Sequence, residues 1–132
     1  MKKNSSNVLL QTLNGISRIT LNTPKSYNAL SFDMLNSLIS TFKKLDIDNK
    51  TKVIIIEGAG NGFCAGHDLK EINSLKKKIK YKKLFHLCSR LMLQIVNGKK
   101  PVIAKVHGAA FAAGCQSVAS CDLAISSEDA IF

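Results

Sequence analysis

The sequence predicts a mixed α/β fold around a mainly parallel sheet, and three observations carry that expectation. Two apolar runs, Val53-Ile54-Ile55-Ile56-Glu57 and Pro101-Val102-Ile103-Ala104-Lys105-Val106, read as buried strands. Each is followed by a segment of small residues and then by helical periodicity, so strand and helix alternate along the chain. No linker interrupts the 132 residues, and 45% apolar content can build one core.

The elements follow in order. Val8 to Leu13 and Ile16 to Leu21 flank Asn14-Gly15, a two-residue turn signal between alternating segments, which predicts a β-hairpin. Ser31 suits an N-cap, and Leu35, Leu38, Ile39, Phe42 and Leu45 then recur at helical spacing. Asp46 to Lys52 reads as a polar loop, and the Val53 strand ends at Gly58-Ala59-Gly60-Asn61-Gly62. The lysine run from Lys76 to Lys83 leads into a helix with the stripe Leu84, Leu87, Cys88, Leu91 and Ile95. Gly98 stands where that helix would be capped. After the Pro101 strand, Gly114 to Ser120 reads as a short helix and Leu123 to Ser126 as a further strand.

Composition narrows the function classes. The formal net charge of +10, from 19 basic and 9 acidic residues, suits a polyanionic ligand or a simply solvated surface. The Lys76–Lys83 run reads as such a solvated face. Nucleic acid is disfavoured, since no binding motif occurs and the 6% aromatic residues show no stacking pattern. No apolar run approaches the ~20 residues that span a bilayer, so no membrane partner is expected. The start, Met1 to Asn7, has no apolar stretch after it of the kind a signal peptide needs. Cys64, Cys88, Cys115 and Cys121 lack the spacing of a disulfide scaffold, which points to reduced thiols in a cytoplasmic or mitochondrial-matrix setting.

Chemistry concentrates in two segments rich in glycine and alanine. One is Phe63-Cys64-Ala65-Gly66-His67-Asp68-Leu69-Lys70; the other is His107-Gly108-Ala109-Ala110-Phe111-Ala112-Ala113-Gly114-Cys115-Gln116. Small residues at strand-to-helix junctions let a ligand approach the backbone and leave N–H groups free to donate. Two such loops could aim a pair of N–H groups at one oxygen, the layout of an oxyanion hole. The plainer alternative is a pair of ordinary tight turns.

These segments, with Ile19-Thr20-Leu21-Asn22-Thr23-Pro24-Lys25, Asn28-Ala29-Leu30 and Ser120-Cys121-Asp122, resemble the crotonase or enoyl-CoA hydratase/isomerase family from about Asn14 onward. GHDLKE with AAGCQ looks most like its enoyl-CoA hydratase domain-containing protein 3 branch. The resemblance implies a crotonase-like (ClpP/crotonase) fold of stacked ββα units, with residues 1–132 as the N-terminal part of one such domain, incomplete at the C-terminus. A fragment or an early-ended reading frame is then expected; a short member completed by a partner is the alternative. Trimers or pairs of trimers are the implied assembly of a full-length chain.

The resemblance also implies roles. The oxyanion donors would be the backbone N–H groups of His67 and Ala113. Coenzyme A, part of the substrate rather than a separate cofactor, would be met by Lys25, Ala65, His67, Asp68, Leu69 and Lys70, with lysines near phosphate. Asp68 would more naturally fix the loop or cap the next helix than do chemistry. The His67 imidazole departs from the small residue more usual there and would narrow the pocket or contact the acyl group. Gln116 stands where hydratases of the family place a glutamate. An amide cannot exchange a proton near neutral pH, so Gln116 could orient water but not act as general base. The expected function is therefore an acyl-CoA-binding, hydratase- or isomerase-like protein of fatty-acid metabolism. The alternative is a non-catalytic acyl-CoA binder or an inactive truncated product. A zinc site from Cys64, His67, Cys115 and Cys121 fits no common template, and no metal is expected. A Cys115 nucleophile served by His107 lacks a third orienting group. His86 reads as a helix-surface residue.

Overall fold

Asn14 and Gly15 take φ of 51° and 83°, as a two-residue primed turn requires. In the computed structural model, which describes residues 6–132, they join β1 (Val8–Leu13) to β2 (Ile16–Leu21), in register from Val8↔Leu21 to Leu13↔Ile16. The first five residues of the basic, polar start lie outside the described residues.

Ser31 caps α1 (Phe32–Ile47), its hydroxyl accepting the Met34 N–H at 3.1 Å. The expected stripe of Leu35, Leu38, Ile39, Phe42 and Leu45 is buried. The helix reaches further than the sequence suggested and takes in Asp46 and Ile47. Asp46 holds that last turn against the next helix layer, its carboxylate accepting from Gln94 at 2.6 Å and from the Lys99 N–H at 3.1 Å.

β3 (Val53–Gly58) pairs in parallel with β2, β5 (Val102–Val106) with β3, and β7 (Leu123–Ser126) with β5. The sheet order is β1-β2-β3-β5-β7, parallel except for the hairpin. Ile19, Ile56 and Ala104 stand in one register row and are buried in a single core with Leu35 and Phe42 of α1 and Leu84 and Leu91 of α3 (Lys78–Val96). Each such leucine or isoleucine contributes about 1.5–3 kcal/mol by leaving water. Lys78 to Lys83 form the first turns of α3 rather than a lead-in to it; their lysines are exposed, while Tyr81 is half-buried against the core.

Two further strands escape sequence reading. β4 (Gly62–Cys64) and β6 (Ala109–Ala110) make a separate parallel pair, Gly62↔Ala109 and Cys64↔Ala110. With three and two residues, neither is long enough to show a period. Short helices follow them: α2 (Leu69–Ser74) after β4 and α4 (Ala113–Ala119) after β6. This small pair positions both glycine- and alanine-rich loops. Among the described residues, no helix is long and apolar enough to cross a membrane.

Candidate active site

A fully buried polar side chain anchors the site. Asn28 sits at φ 55°, and its Oδ1 accepts the Thr23 N–H at 2.9 Å. Its Nδ2 faces three carbonyl oxygens, of Ala59 at 2.9 Å, Gly62 at 3.0 Å and Phe63 at 3.1 Å. One asparagine thus ties the Pro24–Ser26 turn to the β3–β4 loop and to β4. Backbone bonds extend the seam: Ala65 N–H to Tyr27 O at 3.0 Å, and Leu30 N–H to Gly66 O at 2.7 Å. Replacing Asn28 with alanine strands these buried carbonyls and puts a residue less tolerant of the left-handed region at φ 55°. The expected loss is about 2–4 kcal/mol, read as a lower midpoint in urea unfolding at unchanged slope.

The two loops touch. Gly66, at φ 92°, packs tightly: a Cβ there would stand 3.0 Å from Phe111 O and 3.4 Å from Ala113 N, and any side chain would be strained at that φ. The Phe111 N–H donates to Cys64 O at 2.9 Å. Ala112 takes φ 48° and ψ −119°, a region alanine rarely enters, and this turns the chain from β6 into α4. The Ala113 N–H, at the first position of α4, has no partner within its helix. Among the described residues, neither it nor the His67 N–H has an acceptor in the chain.

Around His67 lies a cleft of about 330 Å³, lined by Lys25, Tyr27, Ala65, His67, Asp68 and Lys70 among others. It adjoins a second hollow of about 670 Å³ that shares Lys25, Asp68 and Lys70 and adds Asn22 and Thr23. Asp68 caps α2, its Oδ1 accepting from the N–H groups of Lys70 at 2.9 Å and Glu71 at 3.1 Å. The structure therefore brings Lys25, Ala65, His67, Asp68, Leu69 and Lys70 to one cleft. Ala113 and Gln116 do not line it; they stand behind Gly66 on α4, one turn apart, with Gln116 exposed.

Sequence reading missed Asn28 and Phe85 as parts of this region. The Phe85 ring meets the His67 ring edge-on, with centroids 5.1 Å apart and planes at 83°. The motif Asn28-Ala29-Leu30 and the αL tolerance of asparagine marked the first without a role, and nothing local hinted at the second.

The remaining reactive types are occupied elsewhere. Burial pushes the Cys64 thiol up to about 11 and the Cys121 thiol up to about 12, so both stay protonated and inert near neutral pH. The His107 ring bonds Gly60 O at 2.8 Å through Nε2. Among the described residues, no three His, Cys, Asp or Glu side chains gather as a metal would need.

Comparison with known proteins fits this geometry. The family model described as Enoyl-CoA hydratase/isomerase matches residues 11–132. Enoyl-CoA hydratase domain-containing protein 3, mitochondrial, of Danio rerio is 47% identical over 97% of this chain and 44% of its own length. The Homo sapiens protein of that name is 47% identical over 91% of this chain and 40% of its own. Among solved structures, enoyl-CoA hydratase of Mycobacterium smegmatis superposes with TM-score 0.92 at 43% identity, covering 96% of this chain and 49% of that one. Human enoyl-CoA hydratase domain-containing protein 3 superposes with TM-score 0.90 at 44% identity, covering 94% and 49%. The chain spans a little under half the length of these relatives. With its mixed sheet, its paired glycine- and alanine-rich loops and a match running through both, the chain belongs to the enoyl-CoA hydratase/isomerase (crotonase) family and resembles its domain-containing protein 3 branch.

Proposed function

We propose that this chain binds an acyl-CoA thioester and that the N–H groups of His67 and Ala113 stabilise negative charge on the thioester oxygen. The observation that carries this reading is the pair of N–H groups without acceptors among the described residues, on two loops locked together where Gly66 lies against Ala113. Removing a proton at the α-carbon, or adding water across an α,β double bond, loads that oxygen with charge. Preorganised donors meet the charge without reorganisation and act most strongly where water is excluded.

The cleft supplies the rest of the ligand's chemistry. Lys25 and Lys70 offer cationic ends to coenzyme A phosphates, while Ala65 and Leu69 expose backbone to the adenine part. Asp68 shapes the loop through its cap. Coenzyme A enters as part of the substrate, and no separate cofactor is invoked. Gln116 orients a water or a substrate group by hydrogen bonds; the proton is moved by another group. The reaction class is hydratase or isomerase chemistry on fatty acyl thioesters, and a mitochondrial matrix setting accords with the names of the vertebrate relatives.

Crotonyl-CoA turnover, followed by loss of the conjugated enoyl absorbance, tests the reaction. Calorimetric titration with butyryl-CoA tests the platform beneath it. Turnover supports the whole reading; binding without turnover leaves the platform and removes the catalysis; no binding of either thioester sinks the proposal.

A further inference from the structure

Lys76, Lys77, Lys78, Lys80, Lys82 and Lys83 crowd the entry to α3, and no acidic residue occurs between Glu71 and Asp122 to balance them. All of these lysines are exposed. Among the described residues, the ion pairs go to Glu57, from Arg18 and Lys105, and none reaches this run. The arrangement works against the helix. Its N-terminal end is the positive pole of the backbone dipole, its first turn holds no acidic residue, and the Lys77 side chain gives no cap. Lys78 and Lys82, four residues apart on one helical face, repel each other as well. Charges that oppose their own fold need an account outside it.

A hollow of about 810 Å³ lies in this surface. Its lining mixes Lys78, Lys82, Lys83 and His86 with the apolar Ile79 and Phe85, which are 67% and 48% exposed. We propose that this hollow docks an acidic segment of a partner protein, whose carboxylates meet Lys78, Lys82 and Lys83 while an apolar side chain packs against Ile79 and Phe85. A second copy of the chain does not suit it, because a symmetric contact sets lysine against lysine. A bilayer suits it poorly. Phe85 already meets His67 and Tyr81 packs on the core, which leaves Ile79 alone to insert, whereas an interfacial helix presents a broad apolar face. Single-stranded nucleic acid stacks on open aromatic faces, and the same two rings are engaged. An acidic peptide needs neither insertion nor stacking. Complementary charge steers it in, and a concave apolar contact holds it. The acyl-thioester reading plays no part in this assignment.

Fluorescence anisotropy of a labelled peptide, Glu-Asp-Glu-Leu-Leu-Glu-Glu-Asp, titrated with the full chain tests it. Saturable binding that weakens as salt rises is expected. Lys78→Glu with Lys82→Glu is expected to weaken it at least about tenfold, and Ile79→Ser several-fold. Acids at the start of a helix favour the helix, so lost binding in the first variant is not a lost fold. Lys43→Glu with Lys44→Glu makes the same charge change on α1 and is expected to alter binding by less than about twofold. No binding overturns the proposal, as does an equal loss in the Lys43 and Lys44 variant, which would mean that net charge alone attracts the peptide. Equal binding of the peptide with serines for its leucines removes the hollow from the account and overturns it too. Tighter binding of phosphatidylserine vesicles or of polyuridylate than of the peptide gives the face to lipid or nucleic acid instead.

Discussion

Ala113→Pro is expected to lower turnover of an enoyl thioester about 10²–10³-fold, with little change in thioester binding, if the Ala113 N–H is an oxyanion donor. Proline removes that hydrogen, and its ring adds a carbon on a nitrogen that Gly66 already approaches closely. Ala113 opens α4, and at the first helical position an N–H has no helical partner. Proline is welcome at that position for the same reason. The strained link is Ala112, whose φ of 48° and ψ of −119° precede the substitution. A urea unfolding curve must therefore accompany the kinetics. A kcat loss with an unchanged midpoint assigns the effect to the missing donor. An unchanged kcat removes Ala113 from the chemistry.

Gly114→Ala is expected to be the most destabilising single methyl group in the site. A Cβ at Gly114 would lie 2.1 Å from the Cys64 carbonyl oxygen and 2.9 Å from its carbonyl carbon. Both are backbone atoms of β4, so no side chain can swing aside. Either α4 lifts from β4 or the β4–β6 pair opens, and with it the register that sets Gly66 against Ala113. Overpacking against movable side chains costs about 1–3 kcal/mol, and a rigid backbone neighbour puts this case at about 3 kcal/mol or more. For a chain of this length that is a fall in melting temperature of about 10 °C. A melting temperature within a few degrees of the parent would mean that α4 does not pack on β4 as described.

The sequence announced what repeats and concealed what does not. The hairpin was legible because Asn14-Gly15 admits few alternatives, and α1 because five apolar residues keep helical spacing over several turns. Both glycine- and alanine-rich loops could be found for the same kind of reason, as departures from any period. The contact between them could not. The pairing of β4 with β6 joins residues 47 positions apart, Gly62 and Ala109, through strands too short to carry a pattern. Asn28 could be seen only as a piece of a motif, since its partners, the carbonyls of Ala59, Gly62 and Phe63, come from a distant loop. His67 was visible as a residue, but its meeting with Phe85 depends on how α3 lies across the cleft.

That distance between paired strands has a consequence for how this scaffold can vary. The donor-bearing loops are fixed by contacts between their own backbones, at Gly66, Phe111 and Gly114. The long excursion between them is fixed chiefly where Leu84, Leu87 and Leu91 are buried. The exposed connection at Lys76 and Lys77, between α2 and α3, is bound by neither. The entropy of closing a loop grows only with the logarithm of its length, about 0.6 kcal/mol for each doubling. Inserted or deleted residues in that stretch therefore cost the chain little and leave the two N–H groups where they are. That connection can change in length while the contact of Gly66 with Ala113 stays as it is.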